Sequence, residues 1–134
     1  GLYVSRVAAS SFKEGRVYIT LNGYRNDHFT AYVYMSDDYG ANWKQIMKDL
    51  PAEPVNVIKE DLKDENILYV GTDGGLYVSL DGGNSSMMWN KGLPYSMPIH
   101  DIAIHPRENE IILGTHARSI YIARLDAVQK AAKK

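Results

Sequence analysis

An alternating strand pattern returns three times along the chain, and this periodicity limits the fold more than any other property of the sequence. Val4-Ser5-Arg6-Val7, Pro54-Val55-Asn56-Val57 and Pro98-Ile99-His100-Asp101-Ile102 each lead through a polar turn into a second apolar run. The second runs are Arg16 to Thr20, Ile67 to Thr72 and Ile111 to Thr115, and third runs follow at Ala31 to Ser36, Leu76 to Ser79 and Ile120 to Ile122. Val7 and Val57 lie 50 residues apart and Val57 and Ile102 45, while Gly71–Gly114 and Ser36–Ser79 are each separated by 43. Several short Val-, Ile- and Tyr-rich runs per unit, with period-two alternation, read as strands, and a period of this length points to propeller blades rather than a helical solenoid. The separators, such as Lys63-Asp64-Glu65-Asn66, Asp73-Gly74-Gly75 and Asp81-Gly82-Gly83, are turn-formers. The expectation is an all-β β-propeller segment of about three four-stranded antiparallel blades, over residues 1–50, 51–96 and 97–126. A tail at 127–134 follows, and Leu125 to Lys133 holds enough helix formers for a short C-terminal helix.

After the third strand of the first repeat comes Ser36-Asp37-Asp38-Tyr39-Gly40-Ala41-Asn42-Trp43, which fits Ser-x-Asp-x-Gly-x-x-Trp at every fixed position. The second repeat has Ser79-Leu80-Asp81-Gly82-Gly83, and its tryptophan, Trp89, arrives three residues late; the third repeat has no such stretch. In these residues the chain resembles the Asp-box (BNR) β-propeller family, sialidase- and sortilin-like. Val70 to Ser79 with Leu113 to Tyr121 resembles the last blades of large bacterial glycosyl hydrolase-like propellers. The resemblance implies that Ser36, Asp38, Gly40, Trp43, Ser79, Asp81, Gly83 and Trp89 are structural. Ser and Asp oxygens would accept from turn amides, the glycines would take positive φ, and the tryptophans would pack between neighbouring sheets. It also implies a secreted or periplasmic bacterial protein, and a ligand-binding channel lined by the first strand of each repeat, about 4–9, 54–59 and 99–104.

Composition narrows the functional classes. With 45% apolar and 23% charged residues the chain is an ordinary folded one, and its net charge of −1 with no basic stripe gives no expectation of nucleic acid. It contains no cysteine, so disulfides, thiolate nucleophiles and cysteine-zinc sites are excluded. No run is long enough for a membrane span, and no signal peptide opens the chain. Asp37, Asp38 and Gly40, or Asp81 and Gly83, faintly resemble a calcium loop but lack its later oxygen ligands and distal Glu; no metal or cofactor is expected.

Candidate ligand-binding residues fall on the loops that the resemblance places at the channel mouth. The long loop from Asn22 to Thr30 brings Tyr24, Arg25 and His28, the second repeat brings Asp73, and the loop after Thr115 brings His116 and Arg118. Aromatic rings flanked by polar groups suit a glycan or a polypeptide. His100 and His105 read as hydrogen-bonded structural residues, His105-Pro106 ending its strand. Asp73, Asp101 and Glu60 could join an acid–base pair for glycoside hydrolysis if they face the channel, but no short motif pairs them. The function expected is therefore a binding or scaffold module of a larger protein. The alternative is part of a glycosyl hydrolase whose catalytic carboxylates lie partly in other blades. Partners would be further blades of a parent chain or another copy, because three blades are fewer than a ring needs.

Overall fold

The computed structural model describes residues 2–23, 31–89, 97–115 and 119–133. It contains three antiparallel sheets in succession. The first blade is β1 (Leu2–Ala9), β2 (Val17–Gly23), β3 (Tyr32–Ser36) and β4 (Lys44–Ile46). The second is β5 (Val55–Glu60), β6 (Leu68–Thr72), β7 (Gly75–Ser79) and β8 (Met87–Met88). The third is β9 (Ile99–His105), β10 (Glu110–Thr115) and β11 (Ile120–Arg124), followed by helix α1 (Asp126–Ala132). Strand order within each sheet follows the chain, as tight antiparallel connections require. The fold expected from the repeat is the fold observed, a partial propeller with a short terminal helix. Among the described residues the third sheet has three strands, one fewer than the repeat suggested. After β11 the chain runs Leu125-Asp126-Ala127-Val128, with no Ser-x-Asp-x-Gly turn to reverse it, and it enters α1 instead.

Two apolar clusters hold the blades face to face. Tyr18 and Val33 of the first blade meet Val55, Ile58, Leu68, Val70 and Tyr77 of the second. The opposite face of the second blade, with Val57, Tyr69, Leu76 and Val78, meets Ile99, Ile102, Ile111 and Leu113 of the third. Because successive strand residues point to opposite faces, β6 and β7 are buried along their whole length, each serving both junctions. Leu125, Val128 and Ala132 extend the second cluster onto the tail. Gln129 of α1 is buried, donates to both oxygens of the buried Asp61 at 3.1 and 3.2 Å, and exchanges hydrogen bonds with the Asn109 amide.

The first strands carry the same irregularity in every blade. One extra residue interrupts the pairing of β1 between Val4 and Arg6, of β5 between Val55 and Val57, and of β9 between Ile99 and Asp101. Ser5, Asn56 and His100 are thus equivalent bulge residues, and a bulge re-aims its side chain out of the sheet alternation. Ser5 Oγ donates to the Val55 carbonyl at 2.8 Å, and Asn56 Nδ2 donates to the Ile99 carbonyl at 3.1 Å. Val55 and Ile99 are themselves equivalent, so the first two bulges stitch their blades to the same carbonyl of the next.

Close approach at the second junction depends on Gly71. A Cβ placed there would lie 2.7 Å from both Ile99 Cγ2 and Val57 Cγ1. Gly71→Ala is therefore expected to lower stability by about 1–3 kcal/mol through overpacking, read as a lower denaturant midpoint; an unchanged midpoint would show the junction to be looser than described. Gln129→Leu, which removes a buried donor and leaves Asn109 and Asp61 short of partners, should cost about 1–3 kcal/mol. Its check is faster amide exchange in α1.

Candidate functional site

The innermost strands β1, β5 and β9 stand side by side, and their bulges bring a row of polar side chains to one edge of the arc. Arg6 reaches past the second blade: its Nη1 lies 3.1 Å from Asp101 Oδ1, and its Nη2 donates to the His100 carbonyl at 3.1 Å. Asn56, while bound to the Ile99 carbonyl, also donates to Asp73 Oδ1 at 2.8 Å. Asp73 and Asp101 are exposed, whereas Arg6, Asn56 and His100 are half-buried. Each charged group is thus held by a neighbour on a rigid strand and still open to solvent.

The loop of the second blade is built around Thr72. Its Oγ1 donates to Glu53 Oε1 at 2.8 Å and accepts from the amides of Gly74 and Gly75 at 3.0 and 3.1 Å, while the Asp73 amide donates to the Pro54 carbonyl at 3.1 Å. These bonds fix the backbone that presents Asp73. Asn22, at the start of the long first loop, is buried and accepts from the Val55 amide at 2.7 Å, so it serves the blade junction. Tyr24, Arg25, His28, His116 and Arg118 lie outside the described residues. His105 is the last residue of β9 and its Nδ1 accepts from the Glu108 amide at 3.3 Å, in the turn expected there.

Glu60 does not meet the condition for an acid–base role, that it be open at the edge where Asp73 and Asp101 lie. It is buried and faces the first blade, where it accepts from Ser10 Oγ at 2.6 Å, the Ser11 amide at 2.9 Å and Tyr18 Oη at 3.1 Å. Burial, and next the neighbouring Glu60 charge, push the Tyr18 phenol well above its ordinary range. Sequence alone could not separate Glu60 from Asp73, because both follow apolar runs and only the packing of the neighbouring blade distinguishes them.

The two Ser-x-Asp-x-Gly stretches close the hairpins at the other end of the sheets. Ser36 Oγ donates to Asp38 Oδ1 at 2.7 Å and accepts from the Gly40 amide at 2.8 Å; Ser79 Oγ does the same with Asp81 Oδ1 and the Gly83 amide, both at 2.9 Å. Each aspartate then accepts from the amide four residues on, of Asn42 and Ser85. Tyr39-Gly40 and Gly82-Gly83 both take two successive positive φ values, 60° and 90° in the first and 71° and 97° in the second. The tryptophans differ. Trp89 packs against the second cluster, its ring edge-on to Tyr69 with centroids 6.5 Å apart, whereas Trp43 is 42% exposed and lies over Gly40. The two rings occupy different register positions: Trp89 stands opposite Leu76, the place that the buried Ile46 holds opposite Val33 in the first blade, whereas Trp43 precedes β4 and covers the hairpin.

Among the described residues no group of three or more His, Cys, Asp or Glu side chains could hold a metal ion, and no helix is long and apolar enough to cross a membrane. An apolar cleft of about 530 Å³ opens between β7, β8 and Trp89 on one side and β11 and α1 on the other. It lies where a fourth strand would extend the third blade, and it offers one charged group, Arg124.

No protein-family model matches the sequence, and no curated protein matches it. Solved structures do. The GH74 enzyme of Niastella koreensis superposes with a TM-score of 0.73 over 90% of this chain at 17% identity, and an ancestral GH74 enzyme with 0.67 over 84% at 25% identity. The matched parts are 21% and 13% of those chains, so this chain spans a small segment of each. The three sheets thus share the architecture of glycosyl hydrolase β-propellers.

The first hairpin gives a direct electrostatic check. Hydrogen bonds from Asn42, side chain and backbone, and from Ser36 hold the exposed Asp38 carboxyl at about 2, against an ordinary 3.8. A depressed folded-state value means that the contribution to stability is complete above the ordinary value and is lost as pH falls through about 2. Carboxyl carbon NMR should show Asp38 titrating near that value, and Asn42→Ala should move the midpoint upward.

Proposed function

We propose that this chain is a channel-wall segment of a larger, secreted or periplasmic glycosyl hydrolase-type propeller, acting as a glycan-binding and scaffold module. The observation that carries the reading is the tethered polar row on the innermost strands: Arg6 with Asp101, and Asn56 with Asp73. Guanidinium, amide and carboxylate groups held on strands offer donors and acceptors at fixed positions, which suits a ligand rich in hydroxyls. The likeness to segments of two GH74 enzymes supports a carbohydrate over a polypeptide ligand.

A second reading rests on Asp73 alone. Its carboxylate is exposed, sits on a loop braced by Thr72, and is oriented by Asn56. In that reading Asp73 is one member of a hydrolytic carboxylate pair whose second member comes from another blade, since glycoside cleavage takes two carboxyl groups on either side of one bond.

Affinity electrophoresis against a panel of neutral and acidic soluble polysaccharides tests the first reading. The chain should be retarded by at least one of them, Asp73→Ala and Arg6→Ala should each weaken the retardation several-fold, and Lys48→Ala, outside the row, should leave it unchanged. No retardation by any polysaccharide would sink the glycan reading. Release of reducing sugar that disappears in Asp73→Asn would favour the second reading.

A further inference from the structure

The two bulge residues that stitch the blades carry unequal loads. Ser5 donates to the Val55 carbonyl at 2.8 Å, and its hydroxyl also pairs with Thr20 Oγ1 of its own blade at 2.6 Å. Asn56 holds the equivalent place in the second blade and donates to the equivalent carbonyl, that of Ile99, at 3.1 Å. The equivalent of Thr20 is Gly71, which has no side chain to engage the bulge residue. Asn56 instead uses its other amide hydrogen on Asp73 Oδ1, at 2.8 Å. Since a serine at this place makes the junction without such a bond, the contact with Asp73 is surplus to the stacking of the blades.

The backbone around Asp73 is fixed without Asn56. Thr72 Oγ1 donates to Glu53 and accepts from the Gly74 and Gly75 amides, while the Asp73 amide donates to the Pro54 carbonyl. Glu53 is held in turn by a hydrogen bond from the Tyr77 hydroxyl, and it lies so close beneath the turn that a Cβ at Gly74 would collide with its carboxylate. What these bonds leave loose is the Asp73 carboxyl, which is exposed and has Asn56 as its one partner among the described residues. An exposed aspartate side chain exchanges between staggered rotamers, and a donor anchored on a strand selects one of them. We infer that Asn56 is a positioning residue for Asp73, holding Oδ1 so that Oδ2 is offered in a fixed direction to a hydroxyl of the ligand. A carboxylate only accepts, so Asp73 recognises a donor on the sugar. Ordering that acceptor in advance removes a cost that binding would otherwise carry. The hydroxyl partner rests on the glycan reading; the ordering of Asp73 stands without it.

Asn56→Ser separates the two jobs, because Ser5 shows that a serine supports the stitch. Its denaturant midpoint should stay near that of the wild type, whereas Asn56→Ala, which loses the stitch as well, should unfold earlier. Three-bond NMR couplings to the Asp73 carboxyl carbon should report a single rotamer in the wild-type chain and averaging in Asn56→Ser. Averaging already present in the wild type, or a single rotamer kept in Asn56→Ser, would overturn the inference. In affinity electrophoresis with a polysaccharide that retards the wild type, Asn56→Ser should weaken the retardation several-fold and should add nothing to Asp73→Ala. No weakening, or an equal loss in both backgrounds, would also overturn it, since Asn56 would then not act through Asp73. If the couplings behave as expected and no polysaccharide retards the wild type, the glycan reading fails and the positioning of Asp73 stands. Should Asn56→Ser fail to fold, Asn56→Thr, which keeps a hydroxyl at the bulge, takes its place with the same outcomes.

Discussion

Two carboxylates, side by side at the end of β5, fasten the central blade to both of its neighbours. Glu60 turns toward the first blade and binds Ser10, Ser11 and Tyr18, while Asp61 binds Tyr69 and the helix residue Gln129. Both are buried, and a buried carboxylate is tolerable only when donors surround it. Here the donors come from separate blades, so satisfying each acid requires that the sheets be stacked in one arrangement. The apolar clusters supply most of the driving force, but apolar faces alone can slide; the acids specify where they stop. Among the described residues no buried side-chain nitrogen or oxygen lacks a partner.

The architecture was legible because each repeat prints its strands twice over, in alternation and in period. The strand pairs, the bulge-bearing first strands and the terminal helix all fall where the apolar runs and their separators put them. The fourth strand expected of the last sheet is not among the described residues: no Ser-x-Asp-x-Gly turn follows Ile122, and the chain enters α1 there instead. The bulges themselves were invisible. A single extra residue in a strand leaves the alternation almost intact, and only the pairing register reveals that Ser5, Asn56 and His100 are equivalent.

The candidate site was less legible than the fold. Loop position picked out Asp73, and the structure shows it held by Asn56, a residue that reads in sequence as one more polar strand position. Arg6 carried no local signal at all, since its partner is Asp101, far along the chain. Glu60 carried a misleading one: a carboxylate beside an apolar run looks like a site residue, yet it is consumed by a blade junction, as is the Asn22 amide. A polar side chain's role in a stacked-sheet protein is decided by which face it is on and by what the next sheet offers, and neither is local.

The Arg6–Asp101 bridge has a consequence for the order in which the molecule assembles. Stacked repeats usually fold as a one-dimensional array, in which each unit gains only from its immediate neighbours and any unit can begin. This pair skips a blade, joining residues 95 apart in sequence. An exposed ion pair is too weak to pull such a loop closed by itself, at roughly 0–1 kcal/mol against a closure entropy that grows with loop length. Arg6 and Asp101 therefore meet only after both junctions of the middle blade are in place. The second blade is the template on which the ends are brought together, and the Arg6–Asp101 part of the polar row exists only in the fully assembled arc.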